Sequence, residues 1–456
     1  MKFYNREDES FRLRKAIDSS NPKLIVVYGR RRCGKSTLIK HVLKKGDIYF
    51  ISQQSEESVL LTHMARTIGE KIQGFDDLIY PDWNALLTNL NNTLNERITL
   101  CIDEFPYLVK SSSDLPSILQ KFLDQKKDRK FHIILCGSSQ QMMQGLVLHS
   151  SAPLYGRADE ILKLPPLKIG WIQGAINCNA IQAVEEYSVW GGIPRYWELR
   201  IEEDSFESGV KNLILDRLGV LHEEPARLFL DDMRESIQAY SILSIVGNGV
   251  HRLSEIAGRL RKPSTHLGRP IDNLIKLGYL KREVPYGSSP KSNKKSLYRI
   301  SDPFMNFYFS FVAPNLSRLE LDMKDVVMKS IRSSFAQYFA AEWENLCRLS
   351  VPFKPVKGIE FDVCHRWWGN DNSGEPMEFD LVSRSLDKKY LLVGECKWSK
   401  VKNPDSLLNQ LVNKASKLPG VKGKKIIPVL FVKELENEAD RTENILTPVD
   451  VLDRLK

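Results

Sequence analysis

Apolar residues follow two periodicities along this chain, and the switch between them marks its elements. "LIVVY" at 24–28, "ITLCI" at 98–102 and "FHIILC" at 131–136 are short apolar runs with almost no polar alternation. That pattern belongs to strands buried on both faces of a parallel sheet. Just after the first run, Leu38, Ile39, Val42 and Leu43 recur at helical spacing, which predicts an amphipathic helix. The expected class for the front of the chain is therefore α/β.

From Asp231 to Arg299 the pattern changes to short helical stripes. "SIQAYSILSIVG", "LSEIAGRL" and "STHLGRPIDNLIKLGYL" predict three helices, and "KREVPYGSSPKSNKKSLYRI" predicts two strands around a Gly/Ser/Pro/Lys loop. Three helices followed by a hairpin is the order of a winged helix-turn-helix. Ser254, and Ser264 or Thr265, are the expected caps of the second and third helices.

Beyond Asp302, "SFAQYFAAEWENLCRLS" predicts a helix. "IEFDVCHRWW", "MEFDLVSRS" and "KKYLLVGECKWSK" predict strands of a further small α/β domain. The expected organisation is an α/β core with a parallel sheet at 1–170, a helical segment at 171–230, a winged helix at 231–301 and a small α/β domain at 302–456.

Length supports several cores, since 456 residues exceed what one domain usually buries. No run of 18 apolar residues occurs and the first residues are polar, so no membrane segment is expected. Seven scattered cysteines without a C-x-x-C pair fit reduced thiols in a cytoplasmic protein and no zinc site.

Charge changes the picture once it is located. The net charge is +9, and residues 252–299 hold 12 Lys/Arg against three Asp/Glu, so this segment carries the whole excess. A second basic run, from Lys397 to Lys425, sets eight lysines against Asp405. Concentrated positive charge points to a polyanion, here double-stranded DNA. His266 and Arg269 on the third helix would meet the major groove, and Lys291, Lys294 and Lys295 in the hairpin loop would meet phosphates.

The chemistry is clearest in "GRRRCGKST", where Gly29, Gly34, Lys35 and Ser36 complete a G-x-x-x-x-G-K-S loop between a strand and a helix. Backbone N–H groups of such a loop, with Arg30, Arg31, Arg32 and Cys33 inside it and Thr37 after it, curl around phosphate oxygens. Lys35 reaches the β- and γ-phosphates and Ser36 ligates Mg²⁺. Asp103, ending the second apolar run, would hold that Mg²⁺ through water, and Glu104 would orient or deprotonate the attacking water. Ser138 or Ser139 could sense the γ-phosphate. Arg157 could stabilise transition-state charge, in its own site or a neighbour's.

Near the C-terminus the fourteen residues between Asp380 and Glu395 suit two adjacent strands joined by a tight turn. Two carboxylates on adjacent strands can hold Mg²⁺ or Mn²⁺. Lys397, on the face of Glu395, can position or activate water and neutralise phosphodiester charge.

"GRRRCGKST", "CIDEF", "CGSS", "LYGRADEI" and "GGIPRYWE", in that order, resemble the archaeal-type P-loop ATPases related to AAA+ and STAND switches. The resemblance implies ATP with Mg²⁺, the "CGSS" strand inserted beside the P-loop strand, and a lid whose Gly192 and Pro194 lie near the nucleotide. It also implies that Arg6 and Glu7 lie near the base. The D-x(14)-E-x-K pattern resembles the PD-(D/E)xK nuclease superfamily, which implies Glu344, less well Glu342, as a further metal ligand and Gln410 as a supporting group. Phe379 stands where that family has proline. The composite reading is an ATP-controlled DNA nuclease, compatible with a homo-oligomer. The alternatives are a DNA-binding switch with an inactive nuclease fold and a STAND-like module with a protein partner.

Overall fold

The computed structural model describes residues 3–125, 129–232, 236–289, 295–419, 421 and 423–456. The chain divides into two compact units. One holds Phe3–Pro166 with a short segment beginning at Arg227; the other holds Leu167–Ala226 and the chain from Ser236 onward. The segments expected as lid, winged helix and nuclease-like domain lie in the second unit except for the stretch from Arg227 that joins the first.

In the first unit, β1 (Leu24–Tyr28), β2 (Ile48–Ile51), β3 (Ile98–Asp103), β4 (Phe131–Gly137) and β5 (Glu160–Lys163) form one sheet of order β2-β3-β4-β1-β5. Every pair is parallel, and β4 stands beside the P-loop strand as the resemblance implies. Side-chain alternation divides the apolar runs between two cores. Leu24, Val26, Leu100, Ile102, Ile133 and Leu135 join the cluster on one face, and Ile25, Val27, Cys101, Ile134 and Cys136 the cluster on the other. Burial on both faces is why these strands read as continuous apolar runs. The parallel strands also bring Gly29, Asp103, Glu104 and Ser138 to one edge of the sheet.

Early in the second unit, after a short helix Ile172–Ile176, come helices Ala180–Trp190 and Pro194–Ile201. Asn179 and Gln182 cap the first of these two reciprocally. Its end is the "GGIP" turn, where a side chain on Gly192 would collide with the Leu167 backbone. A buried pair holds the two helices together: Arg200 donates to Glu186 at 2.8 Å, and Trp190 Nε1 donates to the same carboxylate at 2.7 Å.

Three helices, Ser236–Gly247, Leu253–Leu260 and Gly268–Lys276, precede the antiparallel strands β6 (Leu280–Glu283) and β7 (Leu297–Ile300). Helix, helix, helix, hairpin is the order the sequence predicts. The third helix starts later than expected, with Ser264–Leu267 as a 3₁₀ turn. Pro270 has no N–H to return to residue 266, so regular α-helix begins only where proline fits its first turn. Ser254 is not a cap, because its helix begins one residue earlier at Leu253.

The last strands are β8 (His365–Asn370), β9 (Pro376–Arg384), β10 (Tyr390–Val401), β11 (Lys425–Leu435) and β12 (Ile445–Leu446). Their order is β12-β11-β10-β9-β8; β9 is antiparallel to both neighbours, and β10, β11 and β12 run parallel. Helix Lys324–Ser350 precedes this sheet, and helix Pro404–Ala415 makes the crossover that the parallel β10–β11 pair requires. The strand expected from Ile359 begins only at His365.

Candidate functional site

The P-loop leaves β1 at Gly29 and returns into helix Lys35–Val42 through Gly34, whose φ of 87° is left-handed and suits glycine. Lys35 folds back over the loop, and its buried ammonium donates to the carbonyls of Gly29 at 2.9 Å and Arg30 at 3.0 Å. Both acceptors are neutral, so an anionic phosphate would supply the counter-charge. Arg30 and Cys33 are buried, while Arg31 and Thr37 face solvent. Arg6, itself buried, donates to the Cys33 carbonyl at 3.4 Å and to the Pro165 carbonyl at 2.5 Å.

Ser36 Oγ donates to Asp103 Oδ2 at 2.7 Å, and the Tyr49 hydroxyl donates to the same oxygen. Burial alone would raise the Asp103 carboxyl. Hydrogen bonds from Cys136, Tyr49, Ser36 and the Glu104 amide outweigh it and hold the group below its ordinary value. A hydroxyl touching an ionised carboxylate at the foot of a phosphate loop is a donor pair that fits Mg²⁺.

Glu104 follows in the left-handed region, with φ 54° and ψ 40°, a conformation that costs a residue with a Cβ on the order of 1 kcal/mol. There its carboxylate accepts from Ser138 Oγ at 2.8 Å and from the Ser138 amide at 3.2 Å. The structure thus joins Glu104 to Ser138, whereas Ser139 caps the next helix instead.

Arg157 lies elsewhere. It precedes β5, at the edge of the sheet where the parallel strands begin, and a bidentate contact to Asp124 at 2.9 and 2.8 Å holds it there. The P-loop leaves the opposite edge, about 16 Å away by the rise of a five-residue strand. Arg157 thus stands away from the P-loop of its own chain. Pro194 opens helix Pro194–Ile201 in the second unit.

Near the C-terminus, β9 and β10 pair with Gly394 opposite Leu381. Continued one step, that register would set Glu395 opposite Asp380 on one face, and the Glu395 charge does act on Asp380. Asp380 Oδ2 accepts from the Cys396 amide at 2.9 Å. Burial raises the Asp380 carboxyl, and the neighbouring Glu395 charge raises it further. Glu344 is raised in the same way, first by burial and then by Asp380. Of the two helix acids Glu344 is therefore the one that feels the pair; Glu342 accepts from Asn345 instead.

Lys397 contacts Glu395 at 2.5 Å, which raises its ammonium above the ordinary lysine value. Gln410 is exposed and bonds Ser406. Among the described residues no group of three or more His, Cys, Asp or Glu could hold a metal ion. Asp380 and Glu395 form a two-carboxylate donor set, of the kind Mg²⁺ takes while keeping several waters.

His266 and Arg269 are exposed at the start of the third helix, and Lys295 is exposed before β7. Lys291 and Lys294 lie outside the described residues. Not all of the basic excess reaches the surface. Lys281 and Arg299 turn towards Glu283, at 3.2 and 3.1 Å, and Arg366 approaches the same carboxylate at 3.8 Å.

Sequence reasoning missed Tyr49, Arg348 and Glu283. Arg348 donates to the Asp380 carbonyl at 3.1 Å and pairs with Glu344 at 3.6 Å; its i, i+4 spacing from Glu344 was a usable signal. Tyr49 and Glu283 sit on ordinary strands, and nothing local marks them. Among the described residues no helix is long and apolar enough to cross a membrane.

A family model described as an ATPase domain predominantly from Archaea matches residues 3–196, and one described as archaeal and bacterial proteins of unknown function matches residues 308–407. An uncharacterized protein of Methanocaldococcus jannaschii is 31% identical over 447 residues, covering 96% of this chain and 97% of that protein. Among solved structures, the Walker-type ATPase of Pyrococcus abyssi is similar with a TM-score of 0.52 at 19% identity, over 67% of this chain and 96% of that one. At that identity the likeness concerns the fold.

Proposed function

The chain belongs to the family of P-loop ATPases found predominantly in Archaea, and from that premise we propose that it hydrolyses ATP to control a DNA-handling C-terminal site. The observation that carries the ATPase half is the chain of contacts Ser36–Asp103 and Glu104–Ser138 beneath Lys35.

Lys35 would meet the β- and γ-phosphates, and Ser36 and Asp103 would hold Mg²⁺. When bound there, Mg²⁺ supplies neutralisation of the charge that builds up as the phosphoryl group departs. Glu104, aimed by Ser138, takes a proton from the attacking water. As that water's oxygen bonds the γ-phosphorus, the bond to the β–γ bridging oxygen breaks, releasing ADP and phosphate. Pro194 is assigned to the nucleotide by the family resemblance, and Arg157 to a neighbouring copy's nucleotide by its position.

For the C-terminal half, the supporting observation is the shared face of Asp380 and Glu395, with Glu344 behind and Lys397 beside them. Metal-dependent cleavage of double-stranded DNA is the corresponding activity, and the helix–hairpin segment with His266, Arg269 and Lys295 is the DNA contact. Plasmid incubated with Mg²⁺ or Mn²⁺, with and without ATP, tests it. Cleavage lost in Asp380→Asn supports the reading, and no cleavage under any condition opposes it. The lack of a three-ligand cage among the described residues favours one rival, a DNA-binding switch without cleavage, for which wild type would bind DNA and never cut it.

A further inference from the structure

Beyond Glu395, β10 carries Lys397 and Lys400, and Lys402 follows directly after the strand ends at Val401. In a regular strand Lys397 and Lys400, three residues apart, would point to opposite faces. Here the pairing with β11 runs Lys397 opposite Val432 and then Lys400 opposite Glu434, so β10 uses one residue more than its partner. Such a bulge resets the alternation and re-aims the side chains beyond it.

As a result Lys397, Ser399, Lys400, Lys402, Asn403 and Ser406 line a single groove of about 320 Å³. The lysines extend for about 15 Å along the strand, close to the axial rise of four or five nucleotides. Lys397 already pairs with Glu395 at 2.5 Å, and Glu434 stands opposite Lys400 in the register; beyond these the acidic competition is weak. Lys402 meets Glu436 at 3.4 Å, but both are well exposed, and such surface pairs contribute little. Among the described residues Lys400 has no ion-pair partner, and Asp405 is the one acid in the adjoining helix turn. Glu395 and Lys397 stand at one end of this run.

We propose that the groove is a phosphate-backbone channel that leads a nucleic-acid strand onto the Asp380–Glu395 pair. This rests on the reading of that pair as a nucleic-acid site and adds the path by which substrate arrives. The bulge is the device: without it, Lys400 and Lys402 would face away from Lys397.

The test is fluorescence anisotropy of the full chain with a labelled single strand of about 20 nucleotides and with its duplex, in EDTA across a salt series. The Lys400→Ala/Lys402→Ala double variant should bind at least roughly tenfold more weakly, with the slope of log K against log salt shallower by about two. ATP turnover should be unchanged, which shows the variant is folded. The probe that loses more affinity identifies single strand or duplex as the occupant. Equal affinity and slope in wild type and double variant overturn the inference, as does a wild type that binds neither probe at low salt. Asp380→Asn separates the two ideas. If it binds with the wild-type slope and still cleaves, the metal-site reading fails while the channel stands.

Discussion

Ser36 and Asp103 are joined at 2.7 Å, and the oxygen that accepts from Ser36 also accepts from Tyr49. Were Ser36 to turn from Asp103 towards the proposed Mg²⁺, Tyr49 would be left to orient and stabilise the carboxylate. Tyr49→Phe should therefore raise the Mg²⁺ concentration for half-maximal turnover roughly tenfold, the scale of one hydrogen bond to a charged group. Nucleotide binding in EDTA should be unchanged. Titrating Mg²⁺ against turnover in both proteins checks this.

Ser138 is the group that aims Glu104. Removing its hydroxyl in Ser138→Ala leaves the weaker amide contact at 3.2 Å, so the carboxylate loses its orientation but not its chemistry. We expect kcat to fall about tenfold with ADP affinity unchanged. A loss of affinity instead would mean that Ser138 contacts nucleotide in the ground state.

Arg157 lies on the far edge of its own sheet from the P-loop, and the proposed role is service to a neighbouring copy. Wild-type turnover per chain should rise with protein concentration, and Arg157→Ala should hold the dilute, lower value throughout. Loss of the exposed Asp124 pair should cost less than about 1 kcal/mol of stability. A proportional loss of activity at every dilution would contradict the assignment.

Glu342 supplies a pH signature. Burial raises its carboxyl to about 7, although Lys281, Asn345 and Arg348 pull the other way. The folded chain keeps it neutral at a pH where the unfolded chain has released the proton. Its stabilising contribution is thus complete below the ordinary carboxylate pKa and lost as pH rises towards 7. Glu342→Gln, permanently neutral, should match wild type below about pH 4 and exceed it near about pH 8, by on the order of 1–2 kcal/mol for this half-buried group. Parallel melting curves across that range would refute the coupling.

What the sequence made legible was what local pattern controls. The apolar runs at 24–28, 98–102 and 131–136 announced buried parallel strands because both faces are covered. Asp103 and Glu104 were readable because they close such a run. The Asp380–Glu395 pair was readable because a tight turn fixes register. Contacts distant in sequence were not: Tyr49 reaches Asp103 only because β2 lies against β3, and Arg157 looked free until Asp124 appeared beside it. The charge excess at 252–299 overstated the surface, since Lys281 and Arg299 pair internally with Glu283. The bulge in β10 left no mark in the sequence, because alternation alone sends Lys397 and Lys400 to opposite faces.

Glu104 is the residue proposed to convert nucleotide binding into hydrolysis. Steady-state ATP turnover with Mg²⁺, measured beside ATP binding on wild type and Glu104→Gln, tests it most directly. The expected result is a variant that binds ATP as wild type does and turns over at least roughly a hundredfold more slowly. A variant that hydrolyses ATP at the wild-type rate would contradict it.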